Sequence, residues 1–131
     1  MVAENNFEIK IPVSILNNRT ISVLEAISVY LKDNLNFNYH EIGKLTNRDE
    51  RTIWTSYSRA KKKLEGNLPS DSEITIPAAA MQDRSVSILE SIVRYLKDDL
   101  GFSYAEIARL LNRDDRTVWT CYARAKKKNA R

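Results

Sequence analysis

The chain has 131 residues, 43% hydrophobic and 29% charged, with a net charge of +4, which suits one ordinary folded domain or two very small ones. A single cysteine, Cys121, excludes an internal disulfide, and one histidine, His40, leaves no zinc-ligand set. No apolar run approaches the length of a membrane span and the N-terminal MVAENNFEIK lacks a signal-peptide core, so a reducing, cytoplasmic setting is expected, with no membrane, metal or cofactor.

The sequence repeats itself. Glu8 aligns with Glu73, and every later residue aligns at the same offset without a gap, ending with Gly66 opposite Arg131. More than half of the aligned positions are identical. Two copies of this length do not make a solenoid, so a duplicated small domain is the better reading. Units of this size bury little surface alone, so the copies are expected to pack on each other. The boundaries are residues 7–63 for the first unit, 64–72 for a linker (LEGNLPSDS) and 73–128 for the second unit.

Each unit opens on an alternating segment. FEIKIP places Phe7, Ile9 and Ile11 on one side, SEITIP places Ile74 and Ile76 there, and Pro12 and Pro77 close the two runs. Two such strands can pair with each other across a pseudo-twofold axis; a loop anchored by its isoleucines is the other reading. Helix one follows. Ser22 with Glu25, and Ser87 with Glu90, have the spacing of capping boxes. Leu24, Ile27, Leu31 and Leu35, with Leu89, Ile92, Leu96 and Leu100, then supply the apolar stripe. Asn36 and Gly101 can end it with a left-handed backbone.

A shorter helix starts at Asn38 with Glu41, and at Ser103 with Glu106. Its apolar side is Tyr39, Ile42 and Leu45, or Tyr104, Ile107 and Leu110. Asn47 and Asn112 interrupt it, and Asp49 and Asp114 can cap a third helix, about 49–63 and 114–128, whose inward positions are Ile53, Tyr57 and Ala60, or Val118, Tyr122 and Ala125. Tyr30, Tyr39, Tyr57 and their copies are expected as core residues whose hydroxyls reach the surface. The fold expected is therefore all-α, two tandem three-helix helix-turn-helix units in a pseudo-twofold arrangement, each with a short strand signal before it.

Charge is concentrated on the third helix. Arg48, Arg51, Arg59, Lys61, Lys62 and Lys63 stand against Asp49 and Glu50, whereas the rest of residues 1–66 carries more anions than cations. A lysine triplet that ends a helix is favoured by the helix dipole in any protein, and Arg51 can pair with Glu50 or with a carboxylate of helix one. Neither reading explains why the charge balance reverses at this element.

The stretch YAEIARLLNRDDRTVWTCYARAKKK resembles the helix-turn-helix of region four of bacterial sigma factors and of related response-regulator output domains. The resemblance runs through Glu106-Ile107-Ala108, Leu110-Leu111, Thr117-Val118 and Arg124 to Lys127. The first copy is the poorer match, with Gly43 in place of the alanine and Thr46 in place of a leucine. Arg113 stands in the turn where an aliphatic is usual.

The resemblance implies a DNA-reading third helix. If Ile53 and Tyr57 face the core, Arg51, Thr55, Ser58 and Lys62 form the opposite side. Arg51 and Arg116 are the candidate base readers, because a guanidinium offers two parallel donors that match guanine O6 and N7. Thr55 and Thr120 are placed toward bases with them. Ser58, Lys61, Lys62, Lys63, Lys126, Lys127 and Lys128 would contact the DNA backbone, with Arg48 and Arg113 as clamps from the turn. Thr52 and Thr117 either donate to a phosphate or pack inward. Trp54 and Trp119 either lie in the groove or seal the contact between the repeats. Ser56 against Cys121, and Ser58 against Ala123, distinguish the two reading faces.

The function expected is sequence-specific binding of double-stranded DNA, as a transcription regulator that imitates a homodimer on two similar half-sites, with RNA polymerase or another protein as a further partner. The chain is a monomeric pseudo-dimer or dimerises further. A protein-docking module using Trp54 and Trp119 is the alternative. No nucleophile–base pair, glycine-rich phosphate loop or metal cluster suggests an enzyme.

Overall fold

Helices begin where the sequence offers an oxygen to the orphan amides of a first turn. Ser22 Oγ accepts from the Glu25 amide at 3.1 Å, and Glu25 Oε1 accepts from the Ser22 amide at 2.9 Å, which starts α1 (Val23–Val29). Asn38 and Glu41 make the same reciprocal pair ahead of α2 (Tyr39–Thr46). In the second unit Ser87 and Glu90 start α4 (Ile88–Arg94), and Ser103 and Glu106 start α5 (Tyr104–Leu111). The third helices, α3 (Glu50–Lys63) and α6 (Asp115–Asn129), are the longest. Asp49 occupies the cap position of α3 but makes no side-chain cap bond, contrary to expectation. Its carboxylate lies instead 4.0 Å from Arg84 of the second unit, and Asp114 lies 3.9 Å from Arg19 of the first.

The computed structural model describes residues 9–129, so Phe7, expected at the start of the first strand, lies outside the described residues. Over that span the chain is mainly helical, with one small sheet. β1 (Lys10–Pro12) and β2 (Thr75–Pro77) pair antiparallel, with Ile11 opposite Ile76. The ladder extends on both sides through Val13 N to Ile74 O and Ala78 N to Ile9 O, each 2.9 Å. Pro12 and Pro77 have no amide to donate, which keeps the strands short. The strand reading prevails over the anchored loop because each strand satisfies the backbone groups of the other.

After α1 and α4 the chain widens into π-helical turns, Tyr30–Asn34 and Tyr95–Asp99. Such a turn rotates fewer degrees per residue than an α-helix, so the stripe drifts off the core. Ile27, Leu31, Ile92 and Leu96 are fully buried, but Leu35 is only half-buried and Leu100 is exposed, against expectation. Phe37, nearly buried, fills the core beyond the turn. Asn36 (φ 63°) and Gly101 (φ 76°) then reverse the chain in the left-handed region.

The element order of the first unit recurs in the second, and contacts between the units come with roles exchanged. Asn47 Nδ2 donates to the Gln82 carbonyl at 2.6 Å, and Asn112 Nδ2 donates to the Asn17 carbonyl at 3.0 Å. Arg48 reaches the Val86 carbonyl and Arg113 reaches the Ile21 carbonyl. The Arg84–Asp49 and Arg19–Asp114 pairs, and the sheet centred on Ile11 and Ile76, follow the same rule. Reciprocity of this kind is what a twofold axis creates between identical subunits. One apolar core runs through both units. The linker is no free tether: Leu64 and Leu68 pack on that core, and Ser14 Oγ donates to the Pro69 carbonyl at 2.8 Å. No helix among the described residues is long and apolar enough to cross a membrane.

Candidate nucleic-acid interface

The turn between the second and third helices is closed by asparagine. Asn47 (φ 55°, ψ 45°) and Asn112 (φ 53°, ψ 49°) take the left-handed conformation that asparagine tolerates. The next amide, of Arg48 or Arg113, then bonds back to Gly43 O at 2.9 Å or Ala108 O at 3.0 Å. In the first unit the two backbones approach so closely that a Cβ on Gly43 would lie 2.8 Å from Arg48 O. That contact accounts for glycine where the second unit has Ala108.

Arg48 and Arg113, expected as phosphate clamps, are occupied elsewhere. Arg48 Nη1 donates to the carbonyls of Thr46 (2.8 Å) and Asn47 (3.3 Å), and Nη2 donates to Val86 O at 3.0 Å. Arg113 does the same with Leu111 (2.7 Å), Asn112 (3.4 Å) and Ile21 (3.3 Å). Partial burial, and for each the cation of a neighbouring arginine (Arg84 or Arg19), hold both guanidinium pKa values below the ordinary arginine value. The cation where an aliphatic is usual thus satisfies orphan carbonyls at the end of the helix and ties the turn to the other unit.

On α3, Ile53 and Ala60 are fully buried and Tyr57 is half-buried; Val118, Ala125 and Tyr122 repeat this on α6. A helix repeats every 3.6 residues, so the side opposite Ile53 and Ala60 holds Arg51, Thr55, Ser58 and Lys62. Arg51, Arg116, Lys62 and Lys127 are exposed, and none of them makes an ion pair among the described residues. Thr55, Ser58 and Thr120 are partly exposed, while Thr52 and Thr117 are exposed rather than packed inward. Cys121, expected on the reading face, is buried: it sits one turn from Val118 and Ala125, on the core side of α6.

The lysine triplets divide. Lys61 Nζ lies 2.9 Å from Asp33 and Lys63 Nζ 3.4 Å from Glu25; Lys126 and Lys128 pair with Asp98 (3.3 Å) and Glu90 (2.9 Å). These four, expected on phosphates, brace the third helix against the first. Asp33 also accepts from Tyr57 Oη at 2.8 Å. Burial alone would raise the Asp33 carboxyl, but the bonds from Lys61 and Tyr57 outweigh it and hold it below the ordinary value. The Tyr57 hydroxyl is pushed up to about 12 by burial and by that carboxylate. Tyr39 meets Tyr57 edge-on at 5.8 Å, under the Lys32 ammonium. Tyr104, Tyr122 and Lys97 repeat the cluster.

Trp54 and Trp119 do not seal the repeats. They are 53% and 56% exposed. Trp54, with Arg51, Glu50 and Tyr39, lines a shallow open concavity. Rings with this much exposed surface do not seal a contact between the repeats. Arg59 and Arg124, to which the sequence attached no contact of their own, are also exposed and outside any ion pair among the described residues. Arg19 and Arg84, unremarked in the sequence, reach across to the start of the opposite third helix. Their one local signal is that each recurs identically in the other copy.

The family model of sigma-70 region 4 matches residues 95–128. That span runs from the π-helical turn through α5, the turn at Asn112 and α6 to Lys128. The match supports a helix-turn-helix in the second unit and, with it, DNA binding in transcription regulation. It covers the unit whose residues fit the pattern better, with Ala108 and Leu111 where the first unit has Gly43 and Thr46. No curated protein and no solved structure matches the chain. Among the described residues no group of three or more His, Cys, Asp or Glu is placed to hold a metal ion.

Proposed function

We propose that the chain binds double-stranded DNA sequence-specifically through two recognition helices, α3 and α6, and acts as a transcription regulator that imitates a homodimer in one polypeptide. The observation that carries this reading is the pair Arg51 and Arg116. Both stand exposed and outside any ion pair among the described residues, at equivalent places opposite the buried side of a helix-turn-helix. Each can present two parallel donors to guanine O6 and N7, with Thr55 or Thr120 beside it. Lys62 and Lys127, helped by Arg59 and Arg124, supply phosphate contacts. Reciprocal contacts between the units favour two similar half-sites, which successive major grooves would set about one helical turn, roughly 34 Å, apart. The chain is read as a binding rather than a catalytic protein.

Selection of sites from a random duplex library tests this. The expected result is a pair of related short motifs at one-turn spacing. Arg51→Ala and Arg116→Ala should each relax preference in one half-site at a cost of roughly 1–3 kcal/mol. A pair of variants that binds the selected duplex as well as the parent would overturn the base-reading assignment. The exposed Trp54 and Trp119 favour a second reading, a docking surface for another protein, and salt separates the two: a DNA complex weakens steeply as salt rises, an aromatic interface does not.

A further inference from the structure

Among the described residues the exposed large hydrophobic side chains are Trp54, Trp119 and Leu100. Leu100 ends a π-helical turn, where the stripe drifts out for a geometric reason. The two tryptophans have no such reason. They occupy equivalent positions, each in the first half of a third helix, and their indoles meet water over more than half of their surface. Trp54 stands three residues beyond Arg51 and four before Ser58, so it neighbours both on the helix surface. About a quarter turn round the helix lie Thr55 and Lys62, with the exposed Arg59 further round. Any surface that covers the indole and this side of the helix must therefore also accept Arg51 and Lys62, with Glu50 at the edge. On the DNA-binding reading, a duplex meets both demands, with phosphates for the cations and an apolar feature inside its major groove. That feature is the C5-methyl group of thymine.

We propose that Trp54 and Trp119 each read a thymine methyl, one in each half-site, beside the base held by Arg51 or Arg116. The inference rests on the DNA-binding reading and adds a specificity determinant to it. The indole edge covers the methyl as the helix enters the groove, and a cytosine at that position leaves the ring against a bare C5–H. Because the tryptophan is unchanged between the copies, both half-sites carry this thymine. Its step from the arginine-bound base is also the same in both, since the spacing from Arg51 to Trp54 equals that from Arg116 to Trp119.

The test uses the full chain and the duplex recovered by selection. Each thymine is replaced in turn by deoxyuridine, which removes the methyl group and leaves every hydrogen-bonding group in place. The expected result is a loss of roughly fourfold in affinity at one thymine per half-site, the equivalent of about 0.8 kcal/mol for one buried methyl. Trp54→Ala should abolish that sensitivity in one half-site and Trp119→Ala in the other, with thermal unfolding unchanged because the rings are exposed. Equal affinity for the deoxyuridine duplexes, or a penalty that persists in the Trp54→Ala and Trp119→Ala proteins, overturns the inference and leaves the DNA-binding reading intact. So does a selected site without thymine next to the arginine-bound base. Failure to bind any duplex removes both together.

Discussion

Arg48→Met separates the role the structure assigns to the turn arginine from the role its charge suggests. Methionine keeps much of the stem and removes every donor. Two of the three bonds lost are well formed, 2.8 Å to Thr46 O and 3.0 Å to Val86 O, and the third, 3.3 Å to Asn47 O, is marginal. Hydrogen bonds to a charged group contribute about 1.5–3 kcal/mol each, and the half-buried site lets water recover part of that, so a total cost of roughly 2–3 kcal/mol is expected. With a urea slope of about 1–3 kcal/mol per molar, the unfolding midpoint should fall by roughly 1–2 M. The logarithmic salt dependence of DNA binding should keep its slope, because the Arg48 donors are taken up by carbonyls. Lys62→Met should do the opposite. It changes stability by no more than about 0.5 kcal/mol and makes the salt slope shallower by about 0.9. An Arg48→Met protein that unfolds at the parent midpoint but binds DNA with a shallower slope would refute this reasoning and restore the arginine as a backbone clamp.

Two further predictions concern packing and pH. Ile76 has no exposed surface and faces Ile11 across the sheet that joins the units, so Ile76→Ala should cost about 2–5 kcal/mol. Urea unfolding followed at Trp54 and at Trp119, in Trp119→Phe and Trp54→Phe backgrounds, should shift equally at both probes; an unmoved transition in one unit would show that the units fold independently. Asp33 and Asp98 have folded pKa values below the ordinary one: burial raises each carboxyl, but bonds from Lys61 and Tyr57, or from Tyr122 and Lys126, prevail. Their stabilising contribution is therefore complete above the unfolded pKa, about 3.9, and is lost as pH falls through the folded values. Tyr57 and Tyr122, raised to about 12, behave in reverse: their contribution is complete below pH about 10 and is lost as pH rises toward 12. Asp33→Asn should flatten the acid loss in thermal melts and bring one tyrosine back toward its ordinary titration in absorbance; an unchanged tyrosine would refute the coupling.

Much of the architecture could be read locally. The capping pairs at Ser22, Asn38, Ser87 and Ser103, the left-handed asparagines, and the Ile53–Ala60 and Val118–Ala125 sides all depend on residues within a turn or two of one another. The failures have a common character. Asp49 is a good cap by residue type, yet it faces Arg84 from the other unit. Leu35 and Leu100 continue an α-helical stripe that a π-helical turn then rotates away. Cys121 aligns with a serine, and an alignment does not say on which side of a helix a position lies.

The same division holds for the candidate interface. Local pattern is enough to show the repeated sequence and the concentration of cations, and to point to a helix-turn-helix, because short-range backbone geometry and apolar periodicity dictate where its helices start and which side they bury. Which of those cations remain available is a question of packing. Arg48 is drawn to a carbonyl of the other unit, Lys61 to Asp33 and Lys63 to Glu25, while Arg51, Lys62 and Trp54 are left facing outward. Those partners lie far away along the chain, and a charge is neutralised by whatever folding brings within a few ångströms of it.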